Sequence, residues 1–283
     1  MNTIKIGWIG LGRMGTPMSG QLLKAGYDVM VYNRSKEKEE SSKLIGATTA
    51  SSPGQLIQQV DIVIVMVSDD LAIWEIFTGN DGLFSIMTTG KIIINMSTVS
   101  PSISKEMAYL CSQQNNHYLD APVSGSVKQA EDGQLVIMVG GEKTIFEKAL
   151  PLFEHLGKVV MRMGDTGTGN TTKLAINTLL AFHVQGLAET VVLARKNEIR
   201  IEDLITLINA SALGNPLNKI KGDAIIQNNF KAAFALKHIA KDLRLAKNIG
   251  LTTPMGETAF KAFQLAEPAL GEEDIIAIIK QIH

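Results

Sequence analysis

Short apolar runs rich in β-branched residues alternate with amphipathic stretches over residues 1–163. Seven such runs predict strands: Ile4–Ile9, Asp28–Tyr32, Ile62–Val67, Lys91–Asn95, Tyr118–Ala121, Leu135–Val139 and Val159–Arg162. Amphipathic stretches between them, such as Met14–Ala25, Pro101–Gln113 and Glu142–Leu156, predict helices. Strands that are apolar on both faces and separated by helices predict a largely parallel, doubly wound α/β sheet with right-handed crossovers.

The pattern changes after Gly164. From there to the end, helical periodicity dominates, and it predicts helices over Asn170–Lys196, Ile201–Ala210, Leu236–Ile249, Met255–Leu265 and Asp274–Ile282. The glycine-rich segment Gly164–Gly169 predicts a hinge at the boundary. We therefore expect an α/β domain over residues 1–163 and an all-α domain over residues 164–283, joined by a long connecting helix.

The predicted helix Asn170–Lys196 carries apolar residues on every side. Such a helix must be covered all round, so we expect it to be the central core helix, to pack on a neighbouring subunit, or both. Charged residues make up 19% of the chain, below the roughly 25% typical of soluble domains. This low fraction also favours an oligomer.

Charge and composition exclude several classes of function. With 27 basic and 28 acidic side chains the net charge is −1, so no global field attracts nucleic acid or an anionic membrane. The single cysteine, Cys111, excludes an intramolecular disulfide and predicts a buried thiol, and scattered histidines give no metal site. The amino terminus lacks an export signal and the longest tight apolar run, Ile62–Val67, is too short to span a bilayer, which predicts a cytoplasmic protein.

The first predicted strand leads directly into a glycine-rich turn and then a helix. The turn reads Gly10-Leu11-Gly12-Arg13-Met14-Gly15. In this pattern the first glycine permits a tight turn, the second lets a pyrophosphate approach the backbone, and the third allows the helix to pack closely on the strand. The position at the start of a βαβ unit predicts a dinucleotide site.

The second predicted strand ends in Asn33-Arg34-Ser35, where an NAD-binding chain would carry an acidic residue. A guanidinium can pair with the 2′-phosphate of NADP, and the Asn33 and Ser35 side chains can assist it. The sequence thus predicts NADPH rather than NADH. Two further strand ends, with Met66 and Val67 in one and Thr98 in the other, are expected to contact ribose or nicotinamide. Met66 fits the hydrophobic core nearly as well.

Two later segments carry candidate chemistry. Asp120–Ser126 follows a strand, and Gly167–Asn177 opens the long helix. Lys173 and Asn177 are four residues apart and so share one helix face. A lysine on the apolar first turns of a buried helix needs a partner or a purpose, unless its ammonium reaches the surface.

These residues resemble the β-hydroxyacid dehydrogenases over essentially the whole chain. The resemblance is carried by Ala-Pro-Val-Ser-Gly-Ser at 121–126, Ala-Glu-Asp-Gly-Gln-Leu at 130–135, Gly-Asn-Pro at 214–216 and the segment 234–246. The combination looks most like the glyoxylate and succinic semialdehyde reductase branch. Many members carry Ser-Gly-Gly where this chain has Ser124-Gly125-Ser126, and that departure is itself found in this branch.

The resemblance implies a Rossmann-type domain and a role for each matching residue. Lys173 would be the catalytic lysine and Asn177 its support, and Ser124, Gly125 and Ser126 would form the loop that binds a substrate carboxylate. Thr98 would lie beside substrate and nicotinamide. Lys241 would lie at the cofactor, with Phe234 and Asp242 lining the closed site. The family also implies homodimers or homotetramers in which the long helix forms the subunit contact.

The implied reaction is reduction of a small carboxylated aldehyde by NADPH, such as glyoxylate to glycolate or succinic semialdehyde to 4-hydroxybutyrate. Hydride transfer to the aldehyde carbon leaves charge on oxygen, and a lysine ammonium can stabilise that charge and deliver the proton. The alternatives are a 3-hydroxyisobutyrate or tartronate semialdehyde dehydrogenase, an imine reductase, or a non-catalytic NADP-binding module. An imine reductase usually lacks the lysine, and a non-catalytic module should have lost Lys173, Asn177 or the Ser124 loop.

Overall fold

The computed structural model describes residues 4–282. The chain divides into two compact units, Met1–Lys173 and Leu174–His283. Residues 1–3 and 283 lie outside the described residues. The predicted domains include them as the first residues of one and the last residue of the other. The division follows Lys173, so the first turn of the long helix belongs to the first unit.

A nine-stranded sheet forms the centre of the first unit. Its strands are β1 Lys5–Ile9, β2 Asp28–Tyr32, β3 Thr48–Thr49, β4 Ile62–Val65, β5 Ile92–Asn95, β6 His117–Asp120, β7 Val123–Ser124, β8 Leu135–Gly141 and β9 Gly157–Gly164. The order is β3-β2-β1-β4-β5-β6, all parallel. β8 is antiparallel to β6 and β7, and β9 is parallel to β8. The predicted mostly parallel sheet is confirmed.

Helices cover both faces of this sheet. They are α1 Gly15–Lys24, α2 Glu37–Leu44, α3 Pro53–Gln59, α4 Asp70–Thr78, α5 Pro101–Gln113, α6 Val127–Glu131 and α7 Lys143–Phe153. Two hydrophobic clusters result, one that contains Trp8, Met18 and Phe153 and another that contains Phe77 and the buried Cys111. The predicted burial of the thiol is confirmed, and burial raises its pKa to about 12.

The order of the central strands determines where a ligand can bind. β1 lies between β2 and β4, so the chain winds away from β1 in both directions. At such a switch point the loops that follow the strands separate and leave a crevice at the carboxyl ends of β1 and β4. The glycine-rich turn after β1 and the residues Met66 and Val67 after β4 meet at this point.

The second unit is helical. Its helices are the remainder of α8 Thr168–Lys196, then α9 Ile201–Ala210, α10 Pro216–Ile226, α11 Leu236–Asn248 and α12 Pro254–Leu270. The prediction of an α-helix over Asp274–Ile282 is wrong in type, because Ile275–Gln281 forms a 3-10 helix. This segment contains four buried isoleucines, which belong to the core of the unit: Ile275, Ile276, Ile278 and Ile279. Isoleucine is stiff at χ1 because it is β-branched, and this slightly lowers its propensity for the α-helix.

The long helix α8 is buried on one side only in the single chain. Ala181, Val184 and Val191 belong to the core of the second unit. Leu179 and Leu193, on the opposite side, are 56% and 63% exposed. By length and composition α8 could cross a membrane. Its buried positions, however, include the amide of Asn177, as expected of a core helix in a soluble fold.

Candidate active site

The turn Gly10–Gly15 has the backbone geometry that its glycines require. Gly10 has a φ of +99°, and a Cβ there would overlap the carbonyl oxygen of Met66. A Cβ on Gly15 would overlap the carbonyl oxygen of Gly10. Gly12 differs, because no atom lies within 4 Å of its ideal Cβ position. Backbone atoms therefore fill the space beside Gly10 and Gly15, whereas the space beside Gly12 is open, so a ligand can approach the backbone there.

The amino terminus of α1 is suited to an anion. Its N-cap, Met14, makes no side-chain hydrogen bond, and the first turn contains no acidic residue. Gly12 and Arg13 are exposed beside it. Helix amino termini present N–H donors and a partial positive charge, so a pyrophosphate fits this position. The described residues around α1 thus fit a dinucleotide.

Asn33 connects the glycine-rich turn to the end of β2. Its Oδ1 accepts a hydrogen bond from the backbone N–H of Leu11 at 2.8 Å, and its Nδ2 donates to the carbonyl oxygen of Ser35 at 2.8 Å. Its backbone N–H donates to Oε1 of the buried Glu39 at 2.9 Å. Both ends of the Asn33 amide are therefore engaged within the protein. Asn33 therefore links the glycine-rich turn after β1 to the loop after β2.

Arg34 projects from the same turn with its side chain 86% exposed. Its guanidinium lies 3.8 Å from the carboxylate of Glu75 on α4, whose side chain is 68% exposed. Such a solvated pair contributes little to stability, so Arg34 can turn to another anion at small cost. Sequence reasoning missed Glu75, because only the fold brings α4 next to the end of β2.

The strand ends after β4 and β5 also meet. Met66 donates its backbone N–H to the carbonyl oxygen of Ile9 at 2.8 Å, and Val67 donates to Oγ of Ser97 at 2.9 Å. The Met66 side chain packs partly against the hydrophobic core, so its core interpretation stands beside the cofactor one. Thr98, next to Ser97, is half-buried. The crevice edge thus contains these two segments and the glycine-rich turn.

The loop Ser124–Ser126 combines one strained position and one ordinary one. Gly125 has a φ of +149°, and a Cβ there would lie 2.7 Å from Cδ2 of Leu135. Ser126 has an extended backbone, with φ −89° and ψ 176°, and its N–H donates to Oε1 of Gln129 at 2.5 Å. Because this backbone N–H is already used within the protein, the Ser124 hydroxyl and the Gly125 N–H are the better candidates for carboxylate binding.

Lys173 is the last residue of the first unit and is 9% exposed. It lies in the first turns of α8, whose start is held by Asp120 at the end of β6. Oδ1 of Asp120 accepts from the N–H of Gly167 at 2.6 Å and Oδ2 from that of Asn170 at 2.8 Å. Burial raises the pKa of Asp120 to about 6, although these N–H groups act in the opposite direction. Sequence reasoning assigned Asp120 no role beyond opening its segment.

The second unit brings three of its predicted site residues together. Nδ2 of Asn177 donates to Oδ2 of Asp242 at 2.6 Å, and Nζ of Lys241 lies 2.8 Å from the other carboxylate oxygen. Asn177 and Asp242 are both buried. Phe234 stacks on His238 with ring centroids 5.9 Å apart, and burial followed by the charge of Lys241 lowers the pKa of that histidine. Asn177 is thus bound to an acidic partner that the sequence did not connect with it.

Family models cover nearly the whole chain, and known proteins resemble it along its length. Residues 5–164 match the family described as the NAD binding domain of 6-phosphogluconate dehydrogenase, and residues 167–282 match that described as the NAD-binding domain of NADP-dependent 3-hydroxyisobutyrate dehydrogenase. Glyoxylate/succinic semialdehyde reductase 1 of Arabidopsis thaliana is 34% identical over 99% of this chain and 98% of its own. The chloroplastic reductase 2 of the same plant is 32% identical over 100% of this chain and 80% of its own.

A solved structure shows the same fold from end to end. The 3-hydroxyisobutyrate dehydrogenase of Mycobacterium tuberculosis, in a structure with L-serine, superposes with a TM-score of 0.89. It is 27% identical, and the match covers 99% of each chain. Sequence and fold therefore agree along the whole length of both units. The chain belongs to the 3-hydroxyisobutyrate dehydrogenase-like family of NAD(P)-dependent hydroxyacid dehydrogenases and reductases.

Proposed function

We propose that the protein reduces small carboxylated aldehydes with NADPH and that Lys173 donates the proton. Glyoxylate and succinic semialdehyde are the proposed substrates, with glycolate and 4-hydroxybutyrate as products. The observation that carries the proposal is the burial of Lys173, a lysine that is 9% exposed, in the unit that also holds the open amino terminus of α1. The full-length similarity to two glyoxylate/succinic semialdehyde reductases supports the choice of substrates.

The chain's first task is to hold the cofactor. The amino terminus of α1 would hold the pyrophosphate, and Arg34 and Ser35 the 2′-phosphate. Met66, Val67 and Thr98 would contact the ribose and nicotinamide, and Lys241 is proposed as a further cofactor contact. When bound, NADPH would supply a hydride to the aldehyde carbon.

Its second task is to manage charge on the substrate. The Ser124 hydroxyl and Gly125 N–H would bind the carboxylate and so fix the orientation of the aldehyde. Lys173 would stabilise the negative charge that develops on the aldehyde oxygen and transfer a proton to that oxygen. Asn177 is proposed to support the lysine one helical turn further on, and Phe234 and Asp242 to line the substrate site.

A substrate panel tests the reaction. NADPH oxidation would be followed by absorbance with glyoxylate, succinic semialdehyde, tartronate semialdehyde and methylmalonate semialdehyde, and each assay repeated with NADH. We expect the highest kcat/KM with one of the first two aldehydes and with NADPH. Highest activity with tartronate or methylmalonate semialdehyde would move the assignment to another reductase of the same family. Turnover only of imines, or of none of these substrates, would overturn the proposal.

The role of Lys173 is tested by replacing it. We expect Lys173→Ala to lower kcat by about 100- to 10,000-fold, as the loss of a general acid does, while NADPH still binds in a fluorescence titration. Lys196→Ala is the matched control, since Lys196 is an exposed lysine on the same helix. A Lys173→Ala enzyme with unchanged kcat, or a control with the same loss, would contradict the assignment.

A further inference from the structure

A buried carboxylate closes the amino terminus of α8. Asp120 is fully buried, and its two oxygens accept hydrogen bonds from the backbone N–H groups of Gly167 and Asn170. A buried charge is expensive unless it is hydrogen-bonded, and N–H groups at a helix amino terminus are suited to that task. The two hydrogen bonds join the end of β6 to the start of α8. Gly167 and Asn170 lie 47 and 50 residues after Asp120 in the sequence.

Two glycines make room for this carboxylate. Gly140 pairs with Asp120 across β8 and β6, and a Cβ on Gly140 would lie 2.5 Å from Oδ1 of Asp120. A Cβ on Gly169 would lie 2.9 Å from Oδ2 and 2.6 Å from the backbone oxygen of Asp120. Any side chain at either position would have to displace the carboxylate. The cavity around Asp120 is thus shaped for one carboxylate in one position.

Asn170 extends the connection to a third segment. It is fully buried, its Oδ1 accepts from the N–H of Val99 at 3.0 Å, and its Nδ2 donates to Oγ of Ser104 at 3.2 Å. Val99 directly follows Thr98, and Asp120 lies four residues before Ser124. One network therefore fixes the start of α8 against both segments that carry proposed substrate contacts, and all of it lies in the first unit.

Lys173 lies in the turn that this network holds. It follows Asn170 by three residues, which is less than one helical turn and about 4.5 Å along the axis. Side chains of a helix point toward its amino terminus, so the Lys173 side chain leans toward the anchored end. A displacement of about 1 Å at a catalytic group can lower a rate by about 100-fold.

We infer that Asp120 is a positioning residue for the proposed reaction: by closing the amino terminus of α8, it holds Lys173 in place relative to Ser124 and Thr98. The inference rests on the proposed function, in which Lys173 donates the proton. The amino terminus of α1 provides the contrast within the same unit. That terminus has no side-chain cap and is available to a ligand, whereas the protein's own carboxylate occupies that of α8.

Steady-state kinetics of Asp120→Asn and Asp120→Ala test the inference. We expect kcat to fall by about 10- to 100-fold, less for Asn, which keeps one acceptor oxygen, than for Ala. The KM for NADPH should stay within about twofold, because the α1 turn is untouched. Ser52→Ala is the control, since it removes the side-chain cap of α3, a 3.1 Å bond to Gln55, and should leave kcat unchanged. Unchanged kcat in both Asp120 variants, or a rise in the NADPH KM equal to the loss of kcat, would overturn the inference.

A double-mutant cycle separates positioning from general destabilisation. If Asp120 acts through Lys173, Asp120→Asn should cause no further loss in a Lys173→Ala background, measured per NADPH-binding site. An equal loss in both backgrounds would overturn the inference. Should Asp120→Ala fail to fold, Asn170→Ala provides the second variant. It cuts the connection to Val99, so its kcat must also fall for the inference to hold.

Hydrogen exchange distinguishes failure of the inference from failure of the proposed function. In Asp120→Asn, backbone amides of residues 167–173 should exchange at least about 10-fold faster than in the wild type, with the α1 amides unchanged. This readout does not require activity. A wild-type enzyme that turns over no aldehyde would refute the proposed function alone, whereas unchanged exchange at residues 167–173 would refute the anchor itself.

Discussion

Arg34 is the residue on which cofactor preference should depend. Its guanidinium is exposed at the end of β2 and lies near only the solvated carboxylate of Glu75 among the contacts described for it. A 2′-phosphate carries more charge than one carboxylate and can accept two parallel N–H donors from a guanidinium. The phosphate should therefore displace Glu75 as the partner of Arg34.

We predict that Arg34→Asp lowers kcat/KM for NADPH by about 10- to 100-fold, because a charge-assisted pair is lost and a like charge replaces it. The value for NADH should stay the same or rise, since NADH has no 2′-phosphate to repel and its ribose 2′-hydroxyl can donate a hydrogen bond to an acidic side chain. Initial rates with both cofactors would measure the change in preference.

Lys38→Asp controls for charge alone, because Lys38 is an exposed residue of α2 close by in sequence. Glu75→Gln should act in the opposite direction and lower the KM for NADPH by about two- to fivefold, the range of an exposed ion pair. An NADPH-to-NADH ratio that does not move in Arg34→Asp would show that another group recognises the phosphate.

At the crevice edge beside β1 and β2, residue types could be interpreted from the sequence, but the hydrogen bonds between them could not. Gly10 and Gly15 could be interpreted because a Cβ at either position would overlap nearby backbone, and Gly12 because the space beside it is open. The contacts of Asn33 could not be predicted. Its side-chain amide binds Leu11 and Ser35, and the contact with Leu11 depends on how β1 and β2 pair. Contacts across strands are fixed by the fold and leave no mark in residue spacing.

Among the elements, the exposed side of α8 is the clearest surface in need of a partner. Ile176, Leu179 and Leu193 are 40%, 56% and 63% exposed in the single chain. Gly186, which is also exposed, lies seven residues after Leu179 and seven before Leu193, and Ile176 lies three residues before Leu179. These spacings place all four residues on one face of the helix. Glycine permits close approach of another helix. We propose that a second copy of the chain covers this exposed stripe, as the family resemblance implies.

The prediction that follows is an oligomer that Leu179→Glu disrupts. A charge in the middle of an apolar contact must be desolvated without a partner, so the variant should be mainly monomeric at micromolar concentration. Light scattering coupled to gel filtration would measure its mass against the wild type. Leu44→Glu is the control, because Leu44 on α2 is 88% exposed and lies on a different unit. A monomeric wild type, or an oligomeric Leu179→Glu, would contradict the proposal.

Two helices with an apolar period were predicted to the residue, α12 continues five residues beyond its predicted end at Leu265, and elements without an apolar period were missed. The bounds of α5, Pro101–Gln113, and α9, Ile201–Ala210, agree with the predicted helices. α2 was not predicted, because Glu37–Leu44 is almost entirely polar and has no apolar stripe to reveal its period. α6 and β7 are too short to show any period, and both form around the Ser124 loop.

At the scale of the whole molecule, each unit has its own core. The second unit also buries an ion pair, in which Nζ of Lys221 on α10 lies 2.6 Å from Oδ1 of Asp274. The other oxygen of Asp274 accepts from the N–H groups of Ala233 and Phe234. The pair thus fixes the segment that carries Phe234, a residue of the proposed substrate site.

We predict that Lys221→Met destabilises the protein by about 3–5 kcal/mol, because it leaves the buried Asp274 without its cation. Urea unfolding would measure the change, and hydrogen exchange would localise it to peptides of residues 216–236. Lys219→Met should have little effect, since Lys219 is exposed on the same helix. Combining Lys221→Met with Asp274→Asn should recover part of the loss, because the uncharged amide needs no cation and its oxygen can still accept from the N–H groups of Ala233 and Phe234. No loss in the single variant would show that the carboxylate finds another partner.

The backbone at Ser126 differs from that at Gly125 in the side chains that it permits. Gly125 cannot be replaced without strain, whereas the extended backbone at position 126 accepts any residue that keeps the N–H bonded to Gln129, which excludes proline. Directed evolution of the loop could therefore vary residue 126 more readily than Gly125, with loss of the capping box at α6 as the main structural effect. We expect libraries randomised at this one codon to yield folded enzymes with altered substrate range.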